Sequence, residues 1–291
     1  MKNRLSHIFF LALLVMLLSC TAIPAAAAAP KCVPTSTSLP VSDRTVNGTS
    51  FWTKNYKSAG YDLYAIKSGK KYLVSNKADG SGVISDGSIV YYIANMAKGK
   101  FLYRYTLSNK KKKSIGKLCG AKEYAELCGY YDNQIFFVKD APDGSFNCIS
   151  LEDGDVDSLL NNSNFGVTIA EQHGKYFVLS DGTGEGHSYV GVYDVSKLFF
   201  DELWSRPVTW HASSYNIYCV ALRQGFLPAK VGNPAIVHVA KYNYKTRIYT
   251  VYATYVEVTR IISISDKKMV YLDGDGVRRT LSFYLENRCE N

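Results

Sequence analysis

The sequence predicts an all-β chain folded as a β-propeller of six blades, each with about four antiparallel strands. Three observations carry that expectation. A phrase of turn dipeptide, paired apolar-aromatic strand, polar loop and second alternating strand recurs along the chain. It returns at a period near that of a propeller blade. The chain is also rich in tyrosine, 23 in 291 residues, which suits strands with one wet face.

Residues 1–29 read as an export signal. Lys2 and Arg4 form a positive start, and residues 8–18 form an apolar run too short to span a bilayer comfortably. Two cleavages are open. Leu17-Leu18-Ser19-Cys20 resembles a lipobox, in which Cys20 is acylated and anchors the chain to a membrane. The alanines at 25–29 offer sites for ordinary signal peptidase and free secretion. Either route places the protein outside the cytoplasm. The formal charge is +9, and loss of Lys2 and Arg4 leaves it near +7, an excess that favours anionic surfaces.

Export permits disulfides. With Cys20 acylated or removed, six of the seven cysteines remain. Cys32 and Cys289 bracket the folded region, so a bridge there would staple its ends. Cys119 and Cys128 are close enough to clip a local loop, whereas Cys148 and Cys219 lie in strand patterns and read as buried thiols. No cysteine or histidine spacing suggests zinc, and no metal site is expected.

Residues 30–42 are rich in small residues, Pro, Ser and Thr, and read as a tether. Residues 43–291 then form a single domain of repeats. Their turns and strands are Asn47-Gly48 before Ser50-Phe51-Trp52, Asp86-Gly87 before Ile89-Val90-Tyr91, and Asp132-Asn133 before Ile135-Phe136-Phe137. They continue with His173-Gly174 before Tyr176-Phe177-Val178, Ser214-Tyr215 before Ile217-Tyr218-Cys219, and Asp266-Lys267 before Met269-Val270-Tyr271. The steps are 39, 46, 41, 41 and 52 residues. Asp-Gly and Asn-Gly favour tight hairpin turns because glycine tolerates positive φ. A second alternation follows each, as at 62–66, 101–105 and 146–151. One such sheet cannot bury both faces, but neighbouring blades cover one another. Inner strands, such as residues 167–170 and 261–264, should then be the most apolar. The last repeat lacks a fourth strand, and residues 35–40 are the expected donor. The competing fold, a pair of β-sandwiches, needs a boundary that the sequence does not show.

The repeat, with a strand such as Leu102-Tyr103-Arg104-Tyr105-Thr106-Leu107, resembles the TolB-like and DUF5050-like propeller repeats of bacterial exported proteins. The resemblance spans residues 43–285. It implies the propeller fold and an extracytoplasmic binding or scaffolding role.

The residues themselves offer little catalytic chemistry. No histidine is paired with a nucleophile in a motif such as GxSxG. Acidic turns at 152–157 and 273–276 lack the twelve-residue calcium-loop spacing; turn chemistry is the main reading and calcium the lesser one. Lys110, Lys111, Lys112 and Lys113 form a basic hairpin suited to protecting an edge or adhering to an anionic surface. Aromatics interleaved at base-stacking spacing are missing there, so nucleic acid is not expected. The strongest binding feature is Trp204-Ser205-Arg206-Pro207-Val208-Thr209-Trp210-His211, where Trp204, Arg206, Trp210 and His211 combine stacking and hydrogen-bonding groups between two repeats. The loop at 223–233 is the expected rim of the same face. Together these point to non-catalytic recognition of a protein, peptide or glycan at the cell surface. The alternative is a wall-polymer or carbohydrate hydrolase using two funnel carboxylates.

Overall fold

The computed structural model describes residues 28–140, 144–160, 166–167, 169–180, 189–205, 207–213, 215–224 and 235–283. Residues 1–27 of the expected export signal, including Cys20, and Arg206, residues 225–234 and Cys289 lie outside them. The first strand, β1 (Lys31–Val33), is followed by a short 3-10 turn and, among the described residues, five sheets, the first of which spans two repeat units. Unit one comprises β2 (Thr45–Val46), β3 (Thr49–Lys57), β4 (Gly60–Lys67) and the start of β5 (Lys70–Ser85). Unit two takes the end of β5, then β6 (Ile89–Met96), β7 (Gly99–Thr106) and β8 (Lys111–Cys119), so β5 fuses the two into one sheet. Unit three is β9 (Tyr124–Tyr131), β10 (Gln134–Asp140), β11 (Ser145–Ser150) and β12 (Val156–Leu160). Unit four is β13 (Ile169–His173), β14 (Tyr176–Ser180), β15 (Tyr189–Asp194) and β16 (Phe199–Ser205). Unit five is β17 (Pro207–Ser213), β18 (Asn216–Gln224), β19 (Ala235–Asn243) and β20 (Ile248–Val258). Unit six is β21 (Arg260–Ile264), β22 (Lys268–Leu272) and β23 (Arg278–Ser282). Within each unit successive strands pair antiparallel, and the architecture is that of a β-propeller.

Each recurring aromatic strand lies in the second strand of its unit: β3, β6, β10, β14, β18 or β22. In β6, β10, β14 and β18 the alternation directs side chains into two different cores. Ile135 and Phe137 of β10 pack against unit two, whereas Phe136 and Val138 pack against unit four. In β18, Ile217 and Cys219 face unit four, and Tyr218 and Val220 face unit six. The units are therefore joined by successive interfacial cores rather than by one central core. Phe177 is an example: it is fully buried with its ring 4.8 Å from that of Phe136 and 5.0 Å from that of Phe146.

The repeated turns also bind one another. Gly87 has φ +86°, and Asp86 Oδ1 accepts the N–H groups of Ser88 and Ile89 at 2.7 and 2.8 Å. Asn47 of the preceding turn donates to Asp86 O at 2.9 Å, one repeat step away in sequence. A side chain at Gly87 would meet Asn47 Cβ and Val46 O at 2.9 Å, so glycine permits the close approach.

Several sequence expectations need correction. Residues 31–35 belong to the folded body rather than to a free tether. β1 adds to β5, with Cys32 opposite Ile84, and Thr53 N–H donates to Thr35 O at 3.0 Å. Residues 35–40 form no strand and so do not complete unit six; their register is set by unit one. Among the described residues, no core cluster joins unit six to unit one. Ile262, expected within an apolar inner strand, is 44% exposed, because its face of β21 has no such cluster to enter.

The cysteine pairing also differs. Among the described residues, Cys32, Cys119, Cys128, Cys148 and Cys219 form no disulfide with one another; Cys289, the expected partner of Cys32, lies outside them. Cys119 packs between units two and three, whereas Cys128 faces the core between units three and four. The sheet of unit three thus separates the two thiols expected to form a local clip. Cys32 donates its thiol to Leu127 O at 3.1 Å. Cys148 and Cys219 are buried, as their strand positions imply.

Candidate functional site

The outer hairpins of units four and five enclose a cleft lined by Tyr176, Asp194, Lys197, Phe199, Asp201, Tyr242, Tyr244, Lys245 and Arg247. Its first wall is built by turn chemistry. Asp194 Oδ1 accepts the Ser196 N–H at 3.1 Å and the Ser196 hydroxyl at 2.7 Å, and Asp194 Oδ2 accepts from Lys175 Nζ at 3.2 Å. The second wall follows the same rule. Asn243 Oδ1 accepts the N–H groups of Lys245 and Thr246 at 3.1 and 2.9 Å. The chain then turns through Arg247, φ +61°, whose N–H donates to Asn243 O at 2.7 Å.

Contacts between units hold the walls together. Tyr242 Oη donates to Asp201 Oδ2 at 2.7 Å, and the Arg247 guanidinium lies 5.2 Å from the Phe199 ring centre. Tyr176 and Tyr244 rings meet at 4.9 Å, and Tyr244 Oη donates to Ser213 O at 2.8 Å. Burial opposes the charge on Asp194, but hydrogen bonds from Ser196 and Lys175 outweigh it and hold the carboxyl below its ordinary pKa. Burial, then the bond to Asp201, pushes Tyr242 up to about 12. Lys197, Lys245 and Arg247 make no ion pair among the described residues, and they line the cleft together with Asp194 and Asp201. The enclosed part is small, about 40 Å³, enough for a few waters or one carboxylate-sized group.

Of the four side chains singled out by sequence, Arg206 lies outside the described residues, and Trp204, Trp210 and His211 do not converge. Trp204 is 4% exposed in the core between units four and five. Its indole N–H donates to Tyr249 Oη at 2.7 Å, and that hydroxyl lies 2.9 Å from His238 Nε2. Trp204 therefore presents no recognition surface. Trp210 packs half-buried against the same core. His211, next in the strand, points to the opposite face, with its ring centre 6.3 Å from that of Tyr218. The cleft was missed because its two walls are some fifty residues apart and each reads as an ordinary polar hairpin. A paired signal was present: Asp194 and Asn243 occupy equivalent turn positions in successive repeats.

The acidic turns serve the backbone. Asp153 Oδ1 accepts from Asp155 N–H at 3.1 Å, and Asp273 Oδ1 accepts from Asp275 and Val277 N–H at 3.1 and 2.8 Å. Among the described residues, no group of three or more His, Cys, Asp or Glu side chains is assembled to hold a metal.

No protein-family model and no curated protein sequence matches the chain. Solved structures do. An oligogalacturonate lyase in complex with manganese is similar over 88% of this chain and 81% of its own, at 8% identity and a TM-score of 0.50. TolB from Acinetobacter baumannii is similar over 80% of this chain and 63% of its own, at 15% identity and a TM-score of 0.42. A puromycin hydrolase is similar over 82% of this chain and 43% of its own, at 12% identity and a TM-score of 0.46. At these identities the likeness speaks to fold alone, and the oligogalacturonate lyase match supports the propeller.

Proposed function

We propose that this chain is an exported, six-bladed propeller, anchored through acylated Cys20, that recognises a protein, peptide or glycan at the cell surface without transforming it. The observation that carries the reading is the cleft between units four and five. Lys197, Lys245 and Arg247 are available to a carboxylate or other anionic group, and Phe199, 45% exposed, offers an apolar surface beside them. The ligand therefore carries an acidic group small enough for the cleft, with the remainder lying along the rim.

A hydrolytic reading has one observation in its favour. Val192 is opposite Asp201 across β15 and β16, which places Asp194 and Asp201 diagonally on one face. However, a glycosidase general acid needs a raised carboxyl pKa, and that of Asp194 is lowered. Asp201 is engaged by Tyr242.

The test is a screen of acidic and neutral peptides and glycans against the protein and a Lys245→Ala, Arg247→Ala double variant. Preferential capture of acidic ligands, lost by about tenfold or more in the double variant, is expected for two charge-assisted contacts. Capture that ignores ligand charge or survives the double variant would overturn this site. Ligand cleavage that stops in Asp201→Asn would replace recognition with hydrolysis. Intact-mass analysis of the exported protein tests the acyl group on Cys20.

A further inference from the structure

The positive charge of the chain is concentrated on one side of the fold. Residues 43–119, which form units one and two, hold thirteen lysines and two arginines against four aspartates and no glutamate. Residues 120–283 reverse the balance, with nineteen acidic and fifteen basic residues. The overall excess therefore arises from two neighbouring units.

The structure gathers the lysines on outer strands. Lys70, Lys71 and Lys77 are exposed on β5. Lys111, Lys112, Lys113 and Lys117 are exposed on β8, with Lys110 in the turn before it. None of these eight makes an ion pair among the described residues. Three of the four local acids are engaged elsewhere. Asp62 pairs with Lys57 at 3.5 Å, Asp79 pairs with Lys100 at 3.7 Å, and Asp86 caps its turn. Lys77 and Lys112 are near enough for Lys77 to reinforce, after burial, the lowered pKa of Lys112. Like charges held close without an acid between them form a field that an anion relieves.

The patch is not purely ionic. Lys71 Nζ lies 4.1 Å from the Tyr64 ring centre and 5.6 Å from that of Trp52. Lys112 Nζ lies 4.6 Å from Tyr103 and 5.6 Å from Tyr92. Trp52, Tyr64 and Leu73 are register partners across β3, β4 and β5, so they share one sheet face. Leu73 is 52% exposed there, and Tyr56 of β3 is 70% exposed. Charge alone would suffice for a soluble polyanion. Exposed leucine and tyrosine, with a half-buried tryptophan, among lysines instead suit the headgroup level of a bilayer, where amphipathic side chains hold an apolar body below a charged tip.

We propose that the outer rim of units one and two docks on an anionic phospholipid surface, with its lysines on the headgroup phosphates and Leu73 and Tyr56 at headgroup depth. The proposal is independent of the cleft and of Cys20 acylation, since residues 30–291 hold every described strand and all five core clusters.

The test is co-sedimentation of residues 30–291 with phosphatidylcholine vesicles, with and without phosphatidylglycerol. Binding only to the anionic vesicles is expected, and loss at about 1 M salt, where the screening length is ~3 Å. A lysine near an anionic leaflet is worth about fivefold in partitioning, so Lys70→Gln, Lys71→Gln and Lys77→Gln together should reduce it on the order of 100-fold. Substituting glutamine at 110–113 gives a second, separate reading of the same surface. Lys267→Gln with Lys268→Gln, on exposed positions of unit six, should change it little. Leu73→Ser should weaken vesicle binding several-fold. Melting temperatures establish that each variant is folded. Equal partitioning onto neutral vesicles, equal loss from the unit-six pair, or retention on soluble polyphosphate without vesicle binding would each overturn the proposal.

Discussion

Replacing Tyr242 by phenylalanine removes one hydroxyl from the seam between units four and five. Tyr242 is 6% exposed, and its ring belongs to their shared core, so the phenyl group keeps the packing. What is lost is the 2.7 Å hydrogen bond to the Asp201 carboxylate. A hydrogen bond to a charged group is worth roughly 1.5–3 kcal/mol. Asp201 is only half-buried, so water can replace the lost donor, and the lower end, about 1.5 kcal/mol, is expected. Urea unfolding should show a midpoint lowered by roughly 0.5 M with an unchanged slope. A double-mutant cycle with Asp201→Asn isolates the coupling. The effect has a defined pH dependence. The Tyr242 pKa rises from 10.0 to about 12 in the folded protein, so between those values the native state holds a proton that the unfolded chain has lost. The contribution is therefore complete below pH ~10 and declines as pH rises toward ~12. A coupling energy under about 0.5 kcal/mol at neutral pH would refute the reasoning, because the pair would then behave as a solvent-screened surface contact.

Phe177→Ala removes a fully buried ring from the stack with Phe136 and Phe146, and calorimetry should show a loss of about 3–5 kcal/mol. Leu198 has φ +51° and is 72% exposed, so Leu198→Asn should raise the denaturation midpoint, by about 0.5–1 kcal/mol of relieved backbone strain. Thiol alkylation followed by mass spectrometry should label Cys32 before Cys128 and Cys219, because its residue is exposed although its Sγ is turned inward onto Leu127 O. Its rate should grow about tenfold per pH unit, because burial, reinforced by Glu126, pushes this thiol up to about 12. Cys128 and Cys219 should stay unlabelled until unfolding, and a Cys119–Cys128 bridge in the folded protein would contradict their placement on opposite sides of unit three. Trp204→Phe should cost about 1–2 kcal/mol through the lost bond to Tyr249 and leave ligand capture unchanged; a selective loss of capture would restore Trp204 to the binding surface.

Local pattern alone determined the propeller repeat. Asp86-Gly87 closes its turn with its own side chain and a glycine at positive φ, and residues 89–91 carry the alternation of a strand; both signals act over a few residues. Spacing then placed equivalent turns together, as the Asn47–Asp86 bond shows across one repeat. Other features depended on contacts between distant segments. β1 holds only three residues, and its strand character comes from the partner edge that β5 supplies. Trp204 occupies a strand position that alternation alone cannot assign to core or surface; the neighbouring unit covers it. Cys119 and Cys128 are close along the chain, yet the intervening turn and the side alternation of β9 send their thiols into different cores. The cleft likewise needs the hairpins containing Asp194 and Asn243 side by side, and the basic rim needs β5 and β8 on neighbouring units. Strand and turn identity follow from short-range sterics and hydrogen bonding, whereas burial, pairing and sites arise only when one unit becomes the environment of the next.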